Sequence, residues 1–167
     1  MKVYRCKGCG YLEVGEAPDI CPMCGAPKKF FVEYEVPDVK GTKTEENLKA
    51  AFAGESQANR RYTLYQRIAE LEGVDQEIID AFDRPLKEET AHALAELIYL
   101  GGYGDTAENL KMAAEGEKYE KESMYPEFAA TAEEEGFAEI AHFFRAVGNY
   151  EGEHMAGYKE AGEKLEG

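Results

Sequence analysis

The chain has 167 residues, with 34 acidic against 19 basic side chains and a formal net charge of −15. That length suits one or two small domains, and that charge argues against nucleic acid or anionic membrane surfaces as partners. No run of 18 or more apolar residues occurs, so no membrane-spanning helix is expected. Met1-Lys2-Val3-Tyr4 has no apolar signal core, so a cytoplasmic protein is expected.

Residues 1–36 are rich in Gly, Pro and Cys and contain all four cysteines. Clustered cysteines without a secretory signal favour metal over disulfides. Cys6-Lys7-Gly8-Cys9 and Cys21-Pro22-Met23-Cys24 are two CxxC pairs separated by eleven residues. Each pair aims two thiolates at one ion, and two pairs make a tetrahedral S4 site. Gly8, Gly10 and Gly25 let the backbone turn beneath the sulfurs. The spacing alone leaves zinc and iron both open.

Val36-Pro37-Asp38-Val39-Lys40-Gly41 reads as a linker. The domains expected are residues 1–36, a linker over 37–41, and a helical domain over 42–167. From Thr42 onward the texture is Ala, Glu, Lys and Leu, and Thr42-Lys43-Thr44-Glu45 has the spacing of a capping box. Four long helices are predicted: about 43–72 ending near Gly73, about 75–100 ending at Gly101-Gly102, one from Asp105 to about Gly136, and about 137–164. Pro85 and Pro126 fall inside the second and third, where each should kink its helix.

The helical part contains an internal repeat. Glu55 is followed 34 residues later by Glu89, and then by His92; Glu117 is followed 34 residues later by Glu151, and then by His154. Two Glu and two Glu-x-x-His units are the ligand set of a di-iron site carried in a helix bundle. In the fourth helix Phe137, Ile140, Phe144, Val147, Glu151, His154 and Tyr158 share one face. Unpaired carboxylates on such a face would cost several kcal/mol each, roughly, an objection that metal ions remove. The third such pattern, Glu139 to His142, lies off that face and about 18 Å along the axis from His154, so it is left outside the site. The halves differ at one place: Glu120 follows Glu117 by three, where the repeat has Ala58. The extra carboxylate makes the site asymmetric and a candidate for a switchable ligand.

Phe52-Ala53-Gly54-Glu55-Ser56-Gln57-Ala58, the Glu-x-x-Glu before Met124-Tyr125-Pro126-Glu127-Phe128, and both Glu-x-x-His units resemble rubrerythrin. Cys9-Gly10-Tyr11 and Cys21-Pro22-Met23-Cys24-Gly25-Ala26-Pro27-Lys28 resemble the rubredoxin-type domain of the same family. The family's usual order puts that domain last; here it comes first, as in reverse rubrerythrins of anaerobic and oxygen-sensitive prokaryotes. The resemblance implies a mainly α fold: a ferritin-like four-helix bundle preceded by a small rubredoxin-like domain. It implies a peroxidase that reduces hydrogen peroxide to water, with electrons returned through the rubredoxin-like iron. Cys6, Cys9, Cys21 and Cys24 would hold one iron, and Glu55, Glu89, His92, Glu117, Glu120, Glu151 and His154 a di-iron centre. Glu89 and Glu151 would bridge, His92 and Glu120 would exchange on one iron, and Tyr62 and Tyr125 would hydrogen-bond to ligating carboxylates. Rubredoxin or an NAD(P)H-dependent flavoprotein reductase is the implied electron donor.

Ferritin-like bundles join their second and third helices by a long crossover. Here Gly101 to Asp105 spans at most about 17 Å, against helices about 40 Å long. A homodimer with swapped helix pairs is therefore expected, a simple up-down-up-down bundle being the alternative. Two rival functions stand beside the peroxidase: a ferroxidase or oxygen-reducing iron protein, and a redox sensor with a structural zinc ribbon.

Overall fold

The computed structural model describes residues 1–166, with Gly167 and the side chain of Glu166 left out of the description. The chain divides into two compact units, Met1–Tyr103 and Gly104–Gly167.

The first unit opens with a three-stranded antiparallel sheet: β1 (Val3–Cys6), β2 (Leu12–Val14) and β3 (Phe31–Glu33), with β1 in the middle. Val3 pairs with Val14, and Cys6 with Phe31. So small a sheet cannot bury a core alone. Its inward residues Val3 and Leu12 pack with Ile98 of a helix in the same unit, flanked by Tyr99 and Tyr103.

Helix α1 (Lys43–Glu72) starts where the capping spacing predicts. Thr42 Oγ1 accepts from the Glu45 N–H at 3.1 Å, while the Glu45 carboxylate reaches back to the Gly41 N–H at 2.6 Å rather than to Thr42. Gly73, left-handed at φ +67°, ends the helix. The second predicted helix is two: α2 (Gln76–Asp80) and α3 (Asp83–Tyr99), broken at Ala81-Phe82. Proline explains the break. A continuous helix would press the Pro85 ring against the Ala81 carbonyl. Restarting at Asp83 places Pro85 in a first turn, where a missing N–H costs no bond. α1 packs along α3. Buried Asn59 bridges them, its Nδ2 donating to the Leu86 carbonyl at 2.8 Å and to Thr90 Oγ1 at 3.0 Å.

The second unit holds α4 (Thr106–Tyr119), a five-residue π-helical segment (Glu120–Met124), α5 (Tyr125–Glu134) and α6 (Ala138–Glu166). Asp105 and Glu108 form a reciprocal capping box at the start of α4. The kink expected at Pro126 takes the form of the π segment, in which the Tyr125 N–H bonds back to the Glu120 carbonyl. Widening the turn accommodates a proline that has no N–H to give. α6 packs on α4, the π segment and α5. Ala114, Ala129, Ala132 and Ala141 are buried there, and Tyr125, Phe128 and Phe144 form an aromatic cluster. Gly148 allows the close approach: a Cβ there would sit 3.1 Å from Tyr125 Cβ. No helix among the described residues is long and apolar enough to cross a membrane.

Candidate metal centres

The four cysteines come from two loops with the same backbone bonding. In the first, the Cys6 N–H donates to the Tyr11 carbonyl and the Gly10 N–H to the Cys6 carbonyl; in the second, the Cys21 N–H donates to Ala26 and the Gly25 N–H to Cys21. Gly10 (φ +88°) and Gly25 (φ +73°) hold the left-handed position that closes each loop. The sulfurs face one another, with Cys6 Sγ 3.7 Å from Cys24 Sγ and Cys9 Sγ 3.7 Å from Cys21 Sγ. That is far beyond a disulfide. It matches the edge of a tetrahedron with metal–sulfur bonds of about 2.3 Å, which is about 3.75 Å. Burial pushes the Cys9 thiol up to about 12. Burial opposes ionisation of Cys6 too, but the Cys9 and Gly8 backbone N–H groups together with the Cys24 and Cys9 thiols outweigh it and bring that thiol down to about 7. Thiols crowded this way ionise together only around a cation.

The carboxylate and imidazole ligands form two groups, one per unit: Glu55, Glu89 and His92, and Glu117, Glu151 and His154. In each, one ligand atom per residue lies within 4.8 Å of the others. Donors around an ion at about 2.1 Å are about 4 Å apart or less, so small side-chain shifts suffice. The two groups have nearly the same geometry. His92 Nδ1 is 2.9 Å from Glu89 and 3.7 Å from Glu55; His154 Nδ1 is 2.8 Å from Glu151 and 3.7 Å from Glu117. The 34-residue repeat in sequence is thus a repeat in space within each unit.

Both groups crowd negative charge. A shared hydrogen bond with Glu89, then burial, raises the Glu55 carboxyl, and the same bond holds Glu89 low. Burial, then the bond to Glu151, raises Glu117. Two carboxylates sharing a proton beside a histidine are what a divalent cation would replace.

Glu120 stands at the first position of the π segment, outside the second group as it is placed here. Tyr125 is half-buried; burial and then the charges of Glu120, Glu151 and Glu117 raise its hydroxyl. Tyr62 lies on α1 against Tyr65. His142 is exposed on α6, and neither it nor Glu139 joins a metal group among the described residues. Sequence reasoning passed over three residues around the first group. Asn59 fixes α3 against α1. Glu96, one turn after His92, has an Oε2 that is buried without a hydrogen-bond partner, and burial raises its carboxyl. Tyr99 donates from its hydroxyl to the Gly10 carbonyl at 3.0 Å.

A rubredoxin-like four-thiolate site, together with two Glu/Glu/His groups that fit a di-iron centre, defines a non-haem iron protein with a ferritin-like helical part. The sequence profile of rubrerythrin matches residues 46–162, and that of the rubrerythrin rubredoxin-like domain matches residues 4–32. The chain belongs to the rubrerythrin family, with its rubredoxin-like domain at the N-terminal end. It is similar to rubrerythrin of Porphyromonas gingivalis, 44% identical over 133 residues that cover 72% of this chain and 66% of that protein. Rubrerythrin-1 of Clostridium acetobutylicum is 42% identical over 72% of this chain and 70% of its own length. Reverse rubrerythrin-1 of the same organism is 37% identical over 71% and 74%. The chain spans just under two thirds of the Porphyromonas protein and somewhat more of the other two.

Proposed function

We propose that this protein is a non-haem di-iron peroxidase of the reverse rubrerythrin arrangement, reducing hydrogen peroxide to water in the cytoplasm of an anaerobe or oxygen-sensitive prokaryote. The observation that carries the reading is the pair of near-identical Glu/Glu/His groups in a chain that also holds a four-thiolate cage. When bound, two ferrous ions supply the two electrons that cleavage of one O–O bond needs. Glu55, Glu89, His92, Glu117, Glu120, Glu151 and His154 would hold the ions, with Glu89 and Glu151 as the shared carboxylates. Carboxylates and imidazole suit iron in both oxidation states. Glu120, at the start of a π segment, and His92 would be the exchangeable ligands of the centre. Tyr62 and Tyr125 hold ligating carboxylates in place.

Cys6, Cys9, Cys21 and Cys24 hold the iron through which electrons return, supplied by rubredoxin or an NAD(P)H-dependent flavoprotein reductase. In domain terms, residues 1–36 form this electron-transfer module, 37–41 a linker and 42–167 the di-iron domain. The working form is a homodimer in which each chain lends one helix pair to the other. The short Gly101–Asp105 connection supports it, as do exposed Leu64, Ile68 and Leu71 on α1 and Phe137, Ile140 and Phe143 around α6. A stable monomer holding a complete di-iron centre would remove the swap.

The test is to reduce the iron-loaded protein without oxygen and mix it rapidly with peroxide. Fast oxidation of the di-iron centre, followed by the cysteine-bound iron, is expected. Reaction with oxygen alone and growth of an iron core would replace this reading with a ferroxidase. Colourless zinc at the cysteines, with no response to peroxide, would replace it with a sensor.

A further inference from the structure

The four-cysteine lobe has two unlike faces. One is closed: Cys6 and Cys21 are buried in a cluster with Tyr11, Phe31 and, from α3, Ala91 and Ala95. The other is open, and Cys24 is exposed on it. Backbone contacts set a run of exposed residues side by side around that cysteine. The Lys7 N–H donates to the Phe30 carbonyl and the Lys28 N–H to the Asp19 carbonyl, both at 2.9 Å, and Ile20 pairs with Pro27. Ile20 is 65% exposed and Phe30 40%. Lys7, Lys28 and Lys29 are exposed beside them. Lys28 Nζ approaches Asp19 at 3.6 Å, while Lys7 and Lys29 form no ion pair among the described residues.

Gly8 and the distribution of charge say what this face is suited to meet. A Cβ on Gly8 would sit 3.6 Å from both Cys24 Sγ and Cys6 Sγ, yet the backbone there is not left-handed. Conformation does not demand glycine at this position; its missing side chain leaves two sulfurs uncovered. Residues 1–36 carry five acidic and five basic side chains, so the net charge of −15 lies entirely in the rest of the chain. An acidic protein is repelled by the molecule as a whole, but here it meets three lysines against one aspartate.

We propose that this open face is the docking surface for an acidic one-electron carrier protein. Lys7, Lys28 and Lys29 meet carboxylates on the carrier's rim, and Ile20 and Phe30 meet its apolar centre, over the window that Gly8 leaves beside Cys24. The assignment rests on the reading of the four-cysteine site as the point where electrons enter; which face receives the carrier, and what charge the carrier bears, go beyond it. An apolar centre within a charged rim is the anatomy of a protein interface, and so small a patch suits a transient redox encounter of less than about 1,200 Å². Opposite charges at the rim speed encounter and orient it without making the complex long-lived.

The test is a titration of the zinc-loaded full chain with oxidised flavodoxin, an acidic flavin carrier, followed by backbone amide NMR. Zinc closes the cysteine cage without redox chemistry of its own. Amide shifts should centre on Lys7, Gly8, Cys24, Lys29 and Phe30. Shifts confined to the helical part, or none, would overturn the proposal. Raising salt from about 20 to about 200 mM should weaken binding about fivefold, because attraction between opposite charges is screened. Binding that strengthens with salt, the sign that repulsion by the acidic helices governs the encounter, would also overturn it. Lys7→Glu with Lys29→Glu should weaken binding about tenfold or more. Lys43→Glu with Lys49→Glu, on exposed α1 positions, changes the net charge by the same amount and should weaken it less than about twofold. Equal losses in the two pairs would assign the effect to overall charge and remove the surface. In the iron-loaded protein, reduction of the cysteine iron by flavodoxin hydroquinone should slow about tenfold in the Lys7/Lys29 variant, while reduction by photoreduced riboflavin, small and uncharged, stays unchanged; equal slowing with both donors would count against docking. None of these measurements uses peroxide. Loss of docking beside an intact reaction of pre-reduced protein with peroxide therefore refutes the surface alone, and docking beside indifference to peroxide refutes the peroxidase reading alone.

Discussion

The two Glu/Glu/His groups share their ligand spacing and differ in what surrounds them. Histidine-to-glutamate distances agree within 0.1 Å between the groups. Around the first group, Asn59 locks α1 to α3, and the cysteine lobe packs on α3 at Ala91 and Ala95. Around the second, the backbone widens into a π segment, Glu120 stands free of the group, and the His154 side chain is 55% exposed. Coordination chemistry fixes the ligands in both. The periphery differs: a hydrogen-bonded helix pair and the cysteine lobe in one unit, a π segment and an unengaged carboxylate in the other.

The largest expected effect comes from breaking either group. Glu89→Ala and Glu151→Ala should each lower iron affinity of the carboxylate centre by at least about a hundredfold, while the cysteine-bound iron remains. Metal analysis beside the visible spectrum checks this, and full di-iron content in either variant would show that the groups do not act as a pair. Glu120→Ala should keep both iron sites and slow the reaction with peroxide about 10- to 100-fold. The same rate as the unaltered protein, by stopped flow, would remove the asymmetry from the mechanism.

Acid should weaken both groups alike. Glu55 and Glu117 hold protons above the ordinary carboxylate range, and metal binding requires the ionised form. Affinity therefore falls as pH drops through their raised values and levels off above them, with protons released on loading. Titration calorimetry in buffers of different ionisation enthalpy would detect that release. Asn59→Ala leaves the Leu86 carbonyl and Thr90 hydroxyl without this donor and should destabilise the first unit by about 1–3 kcal/mol, read as a lower melting temperature in the metal-free protein. The smallest effect belongs to His142→Ala, which should leave iron content unchanged; lost iron would reinstate the third Glu-x-x-His.

Much of this comparison was legible in the sequence because it is written at fixed spacing. Two CxxC pairs, a 34-residue repeat and an apolar stripe interrupted by Glu and His each leave a periodic trace. Gly73 and the Asp105 cap marked helix ends for the same reason. The features that escaped lack such a trace. The strands of residues 3–14 and 31–33 are only three or four residues long, too short for alternation to stand out. Pro85 and Pro126 both announce a distortion, yet one yields a break and the other a π segment, which the proline alone does not distinguish. Tyr99 and Gly10 are separated by 89 positions, and no local pattern announces a partner so far away. Glu96 resembled every other glutamate in an acid-rich chain until its burial was seen.

The π segment carries one consequence for the helix as a ruler. Its wider turns take up one residue more than regular α-helical bonding needs, so the stretch through Glu117 and the stretch from Tyr125 onward are phased independently. Deleting a single residue such as Ser123 would return the backbone to ordinary bonding. It would leave Tyr125, Phe128 and the rest of α5 at their present angle to Glu117, whereas regular bonding with every residue kept would swing them by about 100° about the axis and take the aromatic cluster away from α6. The widened turn thus absorbs one extra residue while Glu117 and its aromatic backing keep the angular offset at which both meet the same neighbouring helix.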